Sequence, residues 1–224
     1  MPKPSGPVQI SGRDIIQMFH RLYYTAGFAH RGGTWDDTYW MGVKTEKCPL
    51  DLWVYQEILF QLRPQLIIET GTRHGGSATF MCHMLDLLGS DGKMVTIDVR
   101  QPDPAPQHPR LTYLHGSSAD PQIVEQVHAM ATGKSPILVI LDSDHRKDHV
   151  LAEMRAYHTL VTPGSYMIVE DTNINGHPVL GNFGPGPIEA IIEFAKENQD
   201  FAHDKNCERH MLTFNPNGFL RRKD

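Results

Sequence analysis

Cysteine is scarce in this chain. Cys48, Cys82 and Cys207 stand far apart among 224 residues, and no C-x-x-C pair occurs. That leaves no basis for a disulfide framework or a cysteine-rich zinc site, and a reduced, cytoplasmic protein is expected. Long apolar runs are also missing. None approaches the roughly 18 residues of a membrane span, and the opening "MPKPSGPVQ" has no apolar core of the kind a secretion signal carries. No block of like charge occurs, and the net charge is -5, so neither nucleic acid nor an anionic membrane is expected as a partner. The basic ending "RRKD" is too short to change this, and no internal repeat or low-complexity tract is present.

What is present is the composition of one soluble globular unit, 40% hydrophobic and 21% charged. Residues 1–63 read as an N-terminal part: a tail over 1–9, expected to be disordered, then a helix, a long loop and a second helix. In the first helix, "GRDIIQMFHRLYYTA", Ile15, Met18, Phe19, Leu22 and Tyr23 share a face, which predicts burial. The loop "HRGGTWDDTYWMGVKTEKCP" carries Trp35, Trp40 and Met41, either as a lid or as ordinary packing. The second helix has Pro49 near its start and Pro64 as its stop.

From residue 64 to 224 short apolar segments alternate with amphipathic ones. "QLIIET", "KMVTIDV", "LTYLHG", "PILVILD" and "GSYMIVED" read as strands with helices between them. The ending "HMLTFNPNGFLRR" alternates and turns at Asn217-Gly218, which predicts antiparallel edge strands or a hairpin. The alternation predicts an α/β fold with a mostly parallel sheet and helices on both faces. In such a sheet ligands bind beyond the carboxyl ends of the strands.

Those ends are acidic: Glu69, Asp98, Asp142, and the pair Glu170–Asp171. A single acid there commonly caps the next helix, but acids on four strands ask for another reason. "ETGTRHGGSA" is a glycine turn leading into a helix, so Gly71, Thr72, Gly75 and Ser77 are candidate ligand contacts. It lacks both the G-x-G-x-x-G pattern and the Lys-Ser/Thr of a phosphate-binding loop. Glu69 would repel a pyrophosphate and attract an ammonium group. Asp98 is placed to accept two ribose hydroxyls. Together these two acids suit S-adenosylmethionine (SAM) better than NAD. Ser117 and Ser118 of "GSSAD" are either adenine contacts or a plain turn before the helix capped by Asp120.

Asp142, Glu170 and Asp171 end two strands expected to be neighbours. Three converging carboxylates repel unless a cation compensates them, and oxygen ligands suit Mg²⁺ or Mn²⁺. Such an ion lowers the pKa of a bound hydroxyl, and His145, three residues after Asp142, is the candidate base. Asp142 is counted with both the metal and the cofactor. Asp144 is a ligand, a support for His145 or a helix cap. Asn173, Asn175 and His177 are substrate contacts or parts of a rigid crossover.

The segments "WMGVKTEKCPLDLWVYQEIL", "IIETGTRHGGSA", "VTIDV", "GSSAD", "VILDSDH", "VEDTNINGHPVL" and "GPGPIEA" together resemble the cephalosporin hydroxylase family. That family is a branch of class I SAM-dependent methyltransferases which also holds rhamnosyl O-methyltransferases. The resemblance runs from about Trp35 to the C-terminus. It implies a Rossmann-like sheet of seven strands with an antiparallel last pair, and methyl transfer to a hydroxyl of a small molecule rather than oxygenation. It also implies SAM held by Glu69, Gly71, Gly75, Ser77 and Asp98, a divalent ion on acids like Asp142, Glu170 and Asp171, and homo-oligomers by family habit. Two alternatives stay open: a SAM-binding protein without catalysis, and an iron-dependent hydroxylase, which would need a second imidazole such as His177 beside His145.

Overall fold

A computed structural model describes residues 10–29 and 34–224. The tail expected to be disordered and the first residues of the long loop lie outside the described residues. The helices are α1 (Gly12–Ala29), α2 (Pro49–Leu62), α3 (Gly76–Leu87), α4 (Pro121–Ala131), α5 (Lys147–Tyr157) and α6 (Pro187–Glu197). A two-residue hairpin, β1 (Tyr39–Trp40) and β2 (Val43–Lys44), lies in the long loop. The main sheet holds β3 (Leu66–Thr70), β4 (Lys93–Asp98), β5 (Leu111–His115), β6 (Ile137–Leu141), β7 (Tyr166–Val169), β8 (Phe201–His203) and β9 (Phe219–Arg222).

The order across the sheet is β5-β4-β3-β6-β7-β9-β8. Strands β3 to β7 are parallel, and β9 runs against both β7 and β8. The apolar runs explain this arrangement. Every residue of β3 and β6 is buried, which suits strands covered on both faces. Their side chains alternate between two cores. Ile68, Val139 and Leu141 meet α4, α5 and α6 through Val127, Met154 and Phe194. Ile67, Leu138 and Ile140 meet α2 and α3 through Leu59, Met81 and Leu85. Asp120 caps α4 as expected, accepting the Gln122 N–H at 2.8 Å.

Two expectations need correction. Of the two readings of the C-terminal alternation, antiparallel strands at the sheet edge hold for β9, and the hairpin does not. Strand β9 is inserted between β7 and β8, and residues 210–217 form no strand. Leu212 and Phe214 are buried because α1 packs on them, so the alternation reports loop burial. The apolar face of α1 points the other way from the expectation: Ile15, Met18, Phe19 and Leu22 are each more than half exposed. The helix docks instead through His20 and Tyr24, whose rings pack on Phe214 at centroid distances of 5.6 and 5.3 Å.

That docking is pH-sensitive. Burial pushes the His20 pKa down to about 4, and its Nε2 faces the Asn173 amide nitrogen at 2.9 Å. An unfolded histidine titrates near 6.5, so between the two values the unfolded chain takes a proton that the fold refuses. Stability is therefore full above pH 6.5 and falls as the pH drops toward 4, by up to about 2–3 kcal/mol. Urea unfolding at pH 7.5 and 5 should show the loss. His20→Gln should flatten it, and an unchanged slope in that variant would reject the assignment.

Candidate active site

Two of the acidic strand ends, those of β6 and β7, come together. Backbone pairing continues one residue past the strands: the Asp142 N–H donates to Thr70 O at 3.1 Å, and the Glu170 N–H donates to Leu141 O at 2.9 Å. This holds the two acids at one level on neighbouring strands. Asp171 then takes a left-handed conformation (φ 53°), which Asp tolerates better than most side chains. The Asn215 side-chain oxygen accepts its N–H at 3.0 Å. The turn brings Asp171 Oδ2 to 3.2 Å from His145 Nε2. Asp142, His145 and Asp171 each offer one ligand atom, all within 4.8 Å of one another.

Glu170 is placed differently. It is not in that convergent set, and its Oε1 is 2.5 Å from the Lys47 ammonium and accepts the Tyr55 hydroxyl at 2.7 Å. The same ammonium contacts Asp142 Oδ2. Burial raises the pKa values of Asp142, Glu170 and Asp171 from their ordinary values, and neighbouring carboxylates add to the rise. For Lys47, burial works against its charge, but Asp142, Glu170 and Glu69 outweigh it and hold the ammonium protonated.

Beside these acids lies a cleft of about 920 Å³. Of the expected cofactor residues, Gly71, Asp98, Ser117, Ser118 and Asp142 line it. Asp98 accepts two backbone N–H groups at 2.9 Å, from Arg73 and Arg100, one on each carboxylate oxygen. Those bonds fix it at the cleft wall. Gly71 answers a packing demand as well: with φ 86°, a Cβ there would lie 1.9 Å from Asp142 O.

Glu69, Thr72, Gly75 and Ser77 do not line the cleft. Glu69 is fully buried and accepts hydroxyl protons from Ser77 and, at 2.6 Å, from Thr96. Burial pushes its pKa up to about 7. Thr72 bonds Thr96 at 2.8 Å, and Gly75 packs against Pro106 and Tyr113. This group shapes the glycine turn from behind, since hydroxyls on α3 and β4 reach Glu69 first.

Ser118 gives its hydroxyl proton to Glu153, and Ser143 does the same at 2.6 Å. His149 Nε2 is 3.1 Å from Ser118 Oγ. Sequence reasoning missed Glu153. Its signal was legible, since it shares the inward face of α5 with Val150, Met154 and Tyr157. Lys47 and Tyr55 were also missed, and nothing in their local sequence marks them.

The remaining candidates divide. Asp144 lines the cleft, and its Oδ1 accepts the Arg146 N–H at 3.0 Å in a turn ahead of α5, whose N-cap position is Arg146 and has no side-chain cap. Asn175 and His177 both bond Glu189 at 3.0 Å, and Asn173 bonds His20, as in a rigid crossover. His177 borders a separate recess, so it does not pair with His145 in an iron triad. Trp35 lines the cleft and stacks on Tyr24 at 5.1 Å. Trp40 packs on Phe80 and bonds His83, and Met41 is exposed, so neither forms a lid here.

The family described as rhamnosyl O-methyltransferase/CmcI matches residues 32–223. A rhamnosyl O-methyltransferase of Mycobacterium leprae (strain TN) is 41% identical over 98% of this chain and 95% of its own length. One of Mycobacterium tuberculosis (strain H37Rv) is 42% identical over 92% of this chain and 84% of its own. A CmcI structure with magnesium and SAM is similar with a TM-score of 0.66 and 22% identity, covering 87% of this chain and 81% of that one. An O-methyltransferase from Bacillus cereus in complex with SAH follows, with a TM-score of 0.54 and 15% identity over 88% and 84% of the two chains. At these identities the two structures speak for the shared fold alone, whereas the sequence relatives and the matched span settle the kinship: the chain belongs to the rhamnosyl O-methyltransferase/CmcI family.

Proposed function

We propose that this enzyme transfers a methyl group from SAM to a hydroxyl of a small molecule, assisted by Mg²⁺ or Mn²⁺, and that the hydroxyl belongs to a sugar of the rhamnosyl kind. One observation carries the reading: Asp142 belongs at once to the acid–imidazole cluster and to the wall of the cleft that holds Asp98. Residues 64–224 act as the cofactor-binding unit, and Tyr24, Trp35, Lys44, Thr45 and Glu46, which precede α2, line one wall of the cleft. Three buried free thiols agree with a cytoplasmic location, and the exposed apolar face of α1 agrees with a homo-oligomer.

The residues present fit both the ion and SAM. Asp142 and Asp171 are hard oxygen donors at ligation spacing, and the contacts of Glu170 use Oε1, leaving Oε2 as a third oxygen. The cleft is of the size that holds a nucleoside-sized ligand, with Asp98 at its wall for the ribose. When bound, the ion supplies Lewis-acid charge that lowers the pKa of the acceptor hydroxyl, and SAM supplies the methyl on a sulfonium.

The chain does the rest. His145 accepts the hydroxyl proton, and Asp171 at 3.2 Å orients the ring and stabilises the imidazolium. Leu180, Phe183 and Trp35 give the acceptor end an apolar wall, suited to the C–H face of a deoxysugar. Positioning of the hydroxyl in line with the methyl contributes most of the acceleration.

The test is calorimetry with S-adenosylhomocysteine and Mg²⁺, followed by methyl transfer from labelled SAM to a rhamnoside with and without EDTA. Both ligands should bind, and EDTA should remove the transfer. Binding of S-adenosylhomocysteine that ignores the ion, with no transfer, would leave a silent binder in place of an enzyme.

A further inference from the structure

Lys47 is a cation where the sequence suggested only acids. Its side chain is 6% exposed and its ammonium bridges Asp142 on the end of β6 and Glu170 on the end of β7. It does not belong to the sheet. It comes from the segment before α2, where its N–H donates to Thr38 Oγ1 at 3.2 Å and its carbonyl accepts from the same hydroxyl at 3.3 Å. Trp35, Lys44, Thr45 and Glu46 of that segment form one wall of the cleft.

The charges can be counted. With an ion bound, the three acids proposed to meet it, Asp142, Glu170 and Asp171, bring three negative charges as carboxylates. Glu69, bonded to Ser77 and Thr96, is not among them. Lys47 brings one positive, so two negative charges remain. One divalent ion cancels them. Resting on the metal reading above, we propose that Lys47 is the resident counter-ion of the site: a positioning residue that holds Asp142 and Glu170 together before an ion arrives, limits the charge the ion meets to two, and ties the cleft wall to both acids.

A plain buried ion pair predicts something different. Removing one partner of such a pair destabilises the fold, whatever else is bound. Removing a counter-ion leaves uncompensated carboxylates that a divalent ion can rescue. The comparison uses the full chain, as wild type, Lys47→Met and Lys47→Arg, with thermal unfolding in EDTA and in Mg²⁺ and calorimetric titration with Mg²⁺ alone.

Lys47→Met should melt lower in EDTA, gain more from Mg²⁺ than wild type does, and bind Mg²⁺ about tenfold more tightly or better. Lys47→Arg, which keeps the charge, should stay within about threefold of wild type. Equal destabilisation of Lys47→Met with and without Mg²⁺, at unchanged Mg²⁺ affinity, overturns the proposal and leaves the metal reading standing. Absence of Mg²⁺ binding by wild type overturns both. Should Lys47→Met not fold, Lys47→Gln carries the same comparison without the charge.

Discussion

Replacing Asp142 with asparagine should lower methyl transfer about 10³-fold and abolish Mg²⁺ binding, while S-adenosylhomocysteine binds within about threefold of wild type. Asparagine keeps the shape and a hydrogen-bonding oxygen, so the loss isolates the charge. That charge is shared between the convergent donor set and Lys47. Without it, an ion would meet Asp171 and Glu170 only, and the developing negative charge on the acceptor oxygen would lose its main stabiliser. Loss of one preorganised electrostatic partner typically costs 10² to 10³ in kcat, and loss of the ion itself adds to that. Asp98, the acid proposed for the ribose, is on another strand and keeps both of its backbone donors, so the cofactor end should be spared. Initial rates over a Mg²⁺ series, with calorimetry of each ligand, check the result. Undiminished turnover at saturating Mg²⁺ would remove Asp142 from the metal site.

The second large effect belongs to His145. His145→Ala should lower kcat by about 10² to 10⁴, the usual contribution of a positioned base, and leave the Mg²⁺ affinity unchanged. Added imidazole should restore part of the rate, because the vacated space lies beside Asp171 and opens on the cleft. The ion titration discriminates between two roles. His145 has a ligand atom within reach of both Asp142 and Asp171. A fall in Mg²⁺ affinity equal to the fall in kcat would make it a ligand and leave the proton without this acceptor.

The sheet was largely legible because both faces of its central strands are buried. "QLIIET" and "PILVILD" are continuous apolar runs, and such runs at this length have few other homes. The acids at the strand ends were legible for the complementary reason, since carboxylates have no place in those runs. What could not be read was which way each acid turns. Glu69 looked free to meet an ammonium group, yet Ser77 and Thr96, 8 and 27 residues away, capture it. Glu170 was legible as an oxygen donor, but not that Lys47 and Tyr55, 123 and 115 residues earlier in the chain, would engage its Oε1. Local pattern carries no record of such long-range partners. The α1 stripe misled for a different reason. Periodicity locates an apolar face but does not say what it meets, and the rings of His20 and Tyr24 won the contact with Phe214.

The order β4-β3-β6-β7 has a consequence for how this enzyme class can diversify. Adjacent strands lie about 4.8 Å apart. Asp98 and Asp142 are rooted two strands from each other, so their separation is gauged by hydrogen-bonded backbone at roughly 10 Å. The walls proposed for the acceptor, by contrast, hang from segments outside this lattice: the stretch carrying Trp35 and the crossover carrying Leu180 and Phe183. Evolution can recut those walls for a bulkier or slimmer small molecule while the sheet, acting as a ruler, keeps Asp98 and Asp142 at one fixed reach.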